Sequence, residues 1–192
     1  MTAEARSPLA GRREDLARIA TTTDDAVVIE HVPFLAQVDL RLHAGAVARA
    51  PHPLPTRPNT AWEEGPRAAL WLGPDEWLVL GPPGAGPAIV AEYHRALEGL
   101  HRSVVDVSAN RVALELSGAR AKDVLAKGCG LDLHPRTWTA GHCAQTLLAR
   151  VPVILQERAE TTGVLVRPSY STYLVDWLLE AVVEFSGAQA SG

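Results

Sequence analysis

Along residues 36–43 the chain alternates without a break. Ala36, Val38, Leu40 and Leu42 fall on one side, and Gln37, Asp39, Arg41 and His43 on the other. A two-residue period puts successive side chains on opposite faces of extended backbone, so this stretch predicts a half-buried strand. The pattern returns where Val112, Leu114 and Leu116 alternate with Arg111, Ala113 and Glu115. Apolar, β-rich runs at 27–32, 104–107, 144–150, 151–156 and 164–166 predict further strands, with Pro152 expected to mark a bulge or an edge. The runs 68–72 and 77–80 flank Gly73-Pro74-Asp75-Glu76, a cluster of turn formers, and predict a hairpin.

Three stretches switch to helical spacing. Ile89, Val90, Tyr93, Leu97 and Leu100 form one stripe, and Leu174, Trp177, Leu178, Ala181, Val182 and Phe185 another. Residues 119–127 predict a shorter helix with Ala121, Val124 and Leu125 inward. Ser117 is expected to cap its start and Gly128 to close it in a left-handed conformation. Ser169 or Ser171 is expected to cap the last helix.

The element order is β-β-β-α-β, then β-α-β-β-β-α. The expected fold is α+β, built from two ferredoxin-like sheet-plus-helix halves at about 26–108 and 109–186 within one domain, 26–186. Residues 1–25 read as an N-terminal arm with a short helix near 14–20, and 187–192 as a frayed tail. Pro51, Pro53, Pro55, Pro58 and Pro66 punctuate a long connection that excludes helix and central strand, and it is expected to lie across a surface.

Charge and cysteine usage exclude several function classes. The net charge is −4 and no run of Lys or Arg exists, so nucleic acid is not an expected partner. The two cysteines, Cys129 and Cys143, form no C-x-x-C pair and fit a reducing compartment. The first twenty residues carry charge throughout and no apolar core of a signal peptide. The longest apolar runs fall well short of the ~20 residues a membrane helix needs. A cytoplasmic protein without a membrane segment is expected.

Few residues suggest chemistry. Cys129, His134, His142 and Cys143 lie close in sequence, but their irregular spacing does not match paired zinc ligands, so no metal is expected. The loop GPPGAGP (81–87) lacks the Lys-Ser/Thr of a phosphate loop, and its prolines remove amide donors. No G-x-S-x-G is present, and the seven histidines form no cluster with carboxylates. No catalytic residue is expected. Asp106, inside the apolar run VVDVS, has two readings: a carboxylate for an amine or pterin-like ring, or a cap for the turn at Ser108-Ala109-Asn110, the commoner role. Of five tryptophans, Trp71, Trp77 and Trp177 fall in strand or helix patterns and read as core. Trp62 and Trp138 fall in loops and read as interface anchors.

Five stretches then act together: RSPLAG (6–11), LWLGPDEWLVL (70–80), VVDVSANRVALELSGARAKDVLAKGCGLDLHP (104–135), CAQTLLARVPVIL (143–155) and VRPSYSTYLVDWLLEA (166–181). In this order, along nearly the whole chain, they resemble the gamma subunits of heterotetrameric sarcosine oxidases. The resemblance implies a fold similar to the folate-binding region of the glycine-cleavage aminomethyltransferase. The shared trace is D-V-S followed by L-x-G-x-x-A-x-x-x-L at 106–125. It also implies a non-catalytic subunit of an enzyme that oxidatively demethylates sarcosine to glycine. Hydrogen peroxide and formaldehyde or 5,10-methylenetetrahydrofolate would be the other products. FAD, FMN, NAD and tetrahydrofolate are then expected in the alpha and beta subunits and zinc in delta, with none in this chain. Two alternatives stay open: a free-standing tetrahydrofolate-binding protein of the aminomethyltransferase type, and an accessory subunit of a related N-methyl amine oxidase.

Overall fold

A computed structural model describes residues 6–187. In chain order its elements are α1 (Arg13–Thr22), β1 (Val28–Val32), β2 (Ala36–Leu42), β3 (Ala61–Glu64), β4 (Arg67–Gly73), β5 (Glu76–Gly81) and α2 (Gly86–Ala96). Then come β6 (Arg102–Asp106), β7 (Val112–Ser117), α3 (Ala121–Ala126), β8 (Cys143–Leu148), β9 (Val151–Glu157), β10 (Thr162–Val166) and α4 (Pro168–Ala181).

The strands form two five-stranded sheets with antiparallel pairing throughout, ordered β1-β7-β10-β9-β8 and β3-β4-β5-β2-β6. Three apolar cores separate four layers. On one outside, Val38, Leu40 and Val79 of the second sheet pack against Ile89, Tyr93 and Leu97 in and just after α2. Between the sheets, Leu70, Leu78 and Leu80 meet Ala113, Ile154 and Leu165. On the far side, Leu114, Leu155 and Val164 of the first sheet are covered by α1, α3 and α4 through Ile19, Leu125 and Leu178. The continuous apolar runs of β4 and β5 follow from this layering, because a strand covered on both faces has no polar side.

Consecutive β1 and β2 part company. β1 pairs with β7, with Ile29 opposite Leu116, whereas β2 joins β5 and β6 in the other sheet. The first sheet therefore draws a strand from the first 108 residues, and the two halves interlock. The segment read as an arm is, from residue 6 on, packed chain. Leu9, Leu16 and Ile19 are buried in the core of the first sheet. Thr23 ends α1 by donating to the Ile19 carbonyl (2.8 Å) and accepting from the Val27 N–H (3.2 Å). Apart from Gly187, the tail read as frayed lies outside the described residues.

Some local expectations are corrected. The proline-rich connection contains a strand, β3, between Pro58 and Pro66, where the backbone amides are free to pair; Trp62 sits opposite Ala69 at the sheet's edge. Ser117 belongs to β7, and α3 starts after Arg120 with no side-chain cap. Of the glycines flanking α3, the left-handed one is Gly118 (φ +100), before the helix, where a Cβ would lie 2.5 Å from the Ala26 carbonyl oxygen. Gly128 serves close approach instead, because a Cβ there would lie 2.7 Å from the Trp177 ring. Neither Ser169 nor Ser171 caps α4. The helix opens on Pro168, which needs no amide partner, and Ser171 donates back to the Pro168 carbonyl (2.8 Å). Pro152 is neither at a bulge nor on an edge strand. It pairs with Leu147, one residue past the point where β10 ends opposite Val153, so no strand asks for its missing N–H.

Candidate functional site

The sheets pack against each other at β4, β8 and β9, and β1 and β6 are the edge strands at their other ends. On that side a cleft of about 570 Å³ opens beside Phe34, Asp106 and Arg111. Its floor is the turn from β6 to β7. Asp106 Oδ1 accepts from the Ser108 N–H (3.0 Å) and from Ser108 Oγ (2.5 Å), which caps that turn. The other carboxylate oxygen rests on Gly86 at the start of α2, where any Cβ would overlap it. Ser108 Oγ also accepts from the Gln37 N–H (3.1 Å), and buried Gln37 donates through Nε2 to the Arg111 carbonyl (2.8 Å). The start of β2 thus holds the turn rigid.

Phe34 stands at the cleft's mouth. It adopts φ +59 and is 49% exposed, an unusual conformation for a bulky residue. Arg111 is half-buried. Among the described residues its guanidinium makes no hydrogen bond or ion pair. A second groove of about 790 Å³ runs between α1 and β1 and joins the cleft at Arg6, Ser7, His31, Val32 and Phe34. His31 is bonded to Ser7 Oγ (3.0 Å); burial, with Arg13 nearby, pushes its pKa down.

The residues weighed as metal ligands are dispersed. Cys129 Sγ lies 4.0 Å from Thr146 Oγ1, and His134 Nδ1 accepts from the Arg136 N–H (3.2 Å). His142 stacks on Trp138 with centroids 5.7 Å apart. No group of three or more His, Cys, Asp or Glu among the described residues could hold a metal ion. Cys143 opens β8, fully buried, and donates to the Thr60 carbonyl (3.2 Å). Burial pushes its thiol up to about 11. A buried thiol held protonated is a poor nucleophile. The native chain is therefore expected to leave Cys143 unmodified by iodoacetamide at pH 8, with labelling only in urea; mass spectrometry of both samples checks this.

The two loop tryptophans separate. Trp62 is half-buried on β3 and stacks on His52 (5.5 Å, 17°). Trp138 was expected at an interface but is 6% exposed within the chain's own core. Its indole N–H donates to Glu157 Oε2 (2.8 Å). Glu157 is itself buried; it accepts from Thr162 Oγ1 (2.7 Å) and pairs with Lys122 Nζ (2.6 Å). This network was missed because its members are scattered through the sequence with no common motif. Phe34 and Arg111 were missed for a similar reason: one follows a proline and the other heads a strand, and neither position is unusual until the fold juxtaposes them.

The model of the sarcosine oxidase, gamma subunit family matches residues 53–184. The sarcosine oxidase subunit gamma of an Arthrobacter species is 38% identical over 189 residues, covering 94% of this chain and 91% of that one. Its counterpart from Corynebacterium sp. (strain U-96) is 34% identical, covering 97% and 94%. Among solved structures, a chain of the heterotetrameric sarcosine oxidase from Corynebacterium sp. U-96, in complex with pyrrole 2-carboxylate, superposes with a TM-score of 0.86 at 34% identity. It covers 97% of this chain and 99% of that one. The glycine cleavage system aminomethyltransferase T from Bartonella henselae shares the fold alone, with a TM-score of 0.62 at 13% identity over 84% of this chain and 48% of that one.

Proposed function

Since the chain belongs to the sarcosine oxidase gamma subunit family, we propose that it works as a non-catalytic, structural subunit of a heterotetrameric sarcosine oxidase. The observation that carries this reading is the end-to-end match, in sequence and in fold, to a chain of such a complex. In this reading the complex oxidatively demethylates sarcosine to glycine, with hydrogen peroxide and formaldehyde or 5,10-methylenetetrahydrofolate as the other products. We assign FAD, FMN, NAD and tetrahydrofolate to alpha and beta subunits and zinc to a delta subunit. Supporting this, the most promising acid in this chain, Asp106, is occupied as a turn cap. Trp62, half-exposed on an edge strand, is one candidate contact with another subunit. No helix among the described residues is long and apolar enough to cross a membrane, and we place the complex in the cytoplasm.

The test is a purification of the tagged chain from its host grown on sarcosine. The expected result is a yellow assembly with larger subunits that releases peroxide only when sarcosine is added. A colourless chain recovered alone would overturn the proposal.

A further inference from the structure

Two features of the cleft are unexplained by the fold of the chain itself. Phe34 combines a left-handed backbone with a half-exposed aromatic ring, and each is unfavourable in a free chain. Arg111 sits half-buried without an acid among the described residues. Asp39 and Glu76 attract it from the other sheet but make no ion pair with it. Burial, with Arg167 beside it, pulls its pKa down. Arg167 itself is bonded to neutral Asn110 (3.0 Å), and Asp106 is engaged by Ser108. Arg6 adds a further cation at the rim. In a chain of net charge −4, the unmet charge of this cleft is positive.

We propose that the cleft is a docking site for an extended, acidic segment of another subunit of the assembly, with a carboxylate on Arg111 and an apolar side chain against Phe34. This rests on the reading of the chain as a subunit. Arg presents two parallel N–H donors to one carboxylate, a pairing that gains strength in a partly desolvated site. Val32, Val112, Pro87 and Pro168 supply apolar wall on either side. Continuity with the α1–β1 groove makes one trough, longer than a small acid needs. β1 borders it as an edge strand, whose outer backbone groups pair with no strand among the described residues and can bond extended backbone.

The experiment measures binding of the full chain to the remaining subunits of the oxidase by interferometry, alongside thermal melting of the chain. Arg111→Met is expected to weaken assembly at least tenfold without lowering the melting temperature, and Arg111→Lys to weaken it less. Phe34→Gly is expected to act in opposite directions: it removes the left-handed strain and raises the melting temperature, yet weakens assembly. Wild-type binding with all three variants unaffected overturns this proposal alone; wild-type chain that binds no subunit overturns the subunit reading with it. Two further results also overturn it. Glu4→Gln reproducing Arg111→Met would mean that the chain supplies its own carboxylate. Glutarate raising the melting temperature of wild type but not of Arg111→Met, with assembly unchanged, would mean that the cleft takes a small acid.

Discussion

Replacing Trp77 with alanine is expected to destabilise the chain by about 3–5 kcal/mol. The ring is 1% exposed in the core beneath α2, opposite Leu40 on one side and Trp71 on the other. Its N–H donates to the Pro55 carbonyl (2.7 Å), so the same side chain pins the proline-rich connection to the sheet. Alanine leaves a large cavity and an unpaired carbonyl. Trp77→Phe keeps most of the packing and should cost less, about 1–2 kcal/mol, mainly through the lost bond. Urea unfolding monitored by circular dichroism reads both, as a shift in midpoint with unchanged slope. A loss below about 1 kcal/mol for the alanine variant would refute the placement of Trp77. Trp177, which the helical stripe suggested was equally central, is only half-buried over Gly128. Its truncation should cost roughly 1–2 kcal/mol.

Glu157→Ala is expected to cost about 3–4 kcal/mol. One carboxylate oxygen accepts from the Trp138 indole and the Thr162 hydroxyl, and the other holds Lys122. Alanine strands the two neutral donors in a dry site. Lys122, with a side chain 31% exposed, can turn toward water, which keeps the loss below that of a fully enclosed pair. Glu157→Gln retains one acceptor oxygen for Trp138 and Thr162 and should cost only about 1–2 kcal/mol. The ordering of the two variants in urea is the test. Equal losses would mean that charge alone matters, and no loss in either would mean that the network is dispensable.

Much of the fold was legible in short-range pattern. The alternation of 36–43 became β2, and the turn formers at 73–76 became the β4–β5 hairpin. Both follow from local rules: a period of two has one geometry, and the turn needs residues that accept its backbone angles. Helical stripes located α2 and α4 for the same reason. Errors gathered where a residue's role depends on a distant partner. Ser117 has the chemistry of a cap but belongs to a strand that must reach β1 and β10. Gly128 has the flexibility of a helix terminator but is needed for its missing side chain. Trp138 lies in a loop, yet the loop folds over Glu157 and buries it.

By itself the sequence determined that the chain is α+β, which runs become strands and helices, and, through its motifs, to which family it belongs. These are decided within windows of a few residues or by the match of whole segments. Tertiary structure alone decided that β1 leaves its neighbour β2 for the other sheet, that α1 closes a core, and that Phe34 and Arg111 share one cleft. Strand pairing is chosen by which apolar faces can be covered together, a property of the whole chain. A site formed between two sheets has no footprint in either strand taken alone.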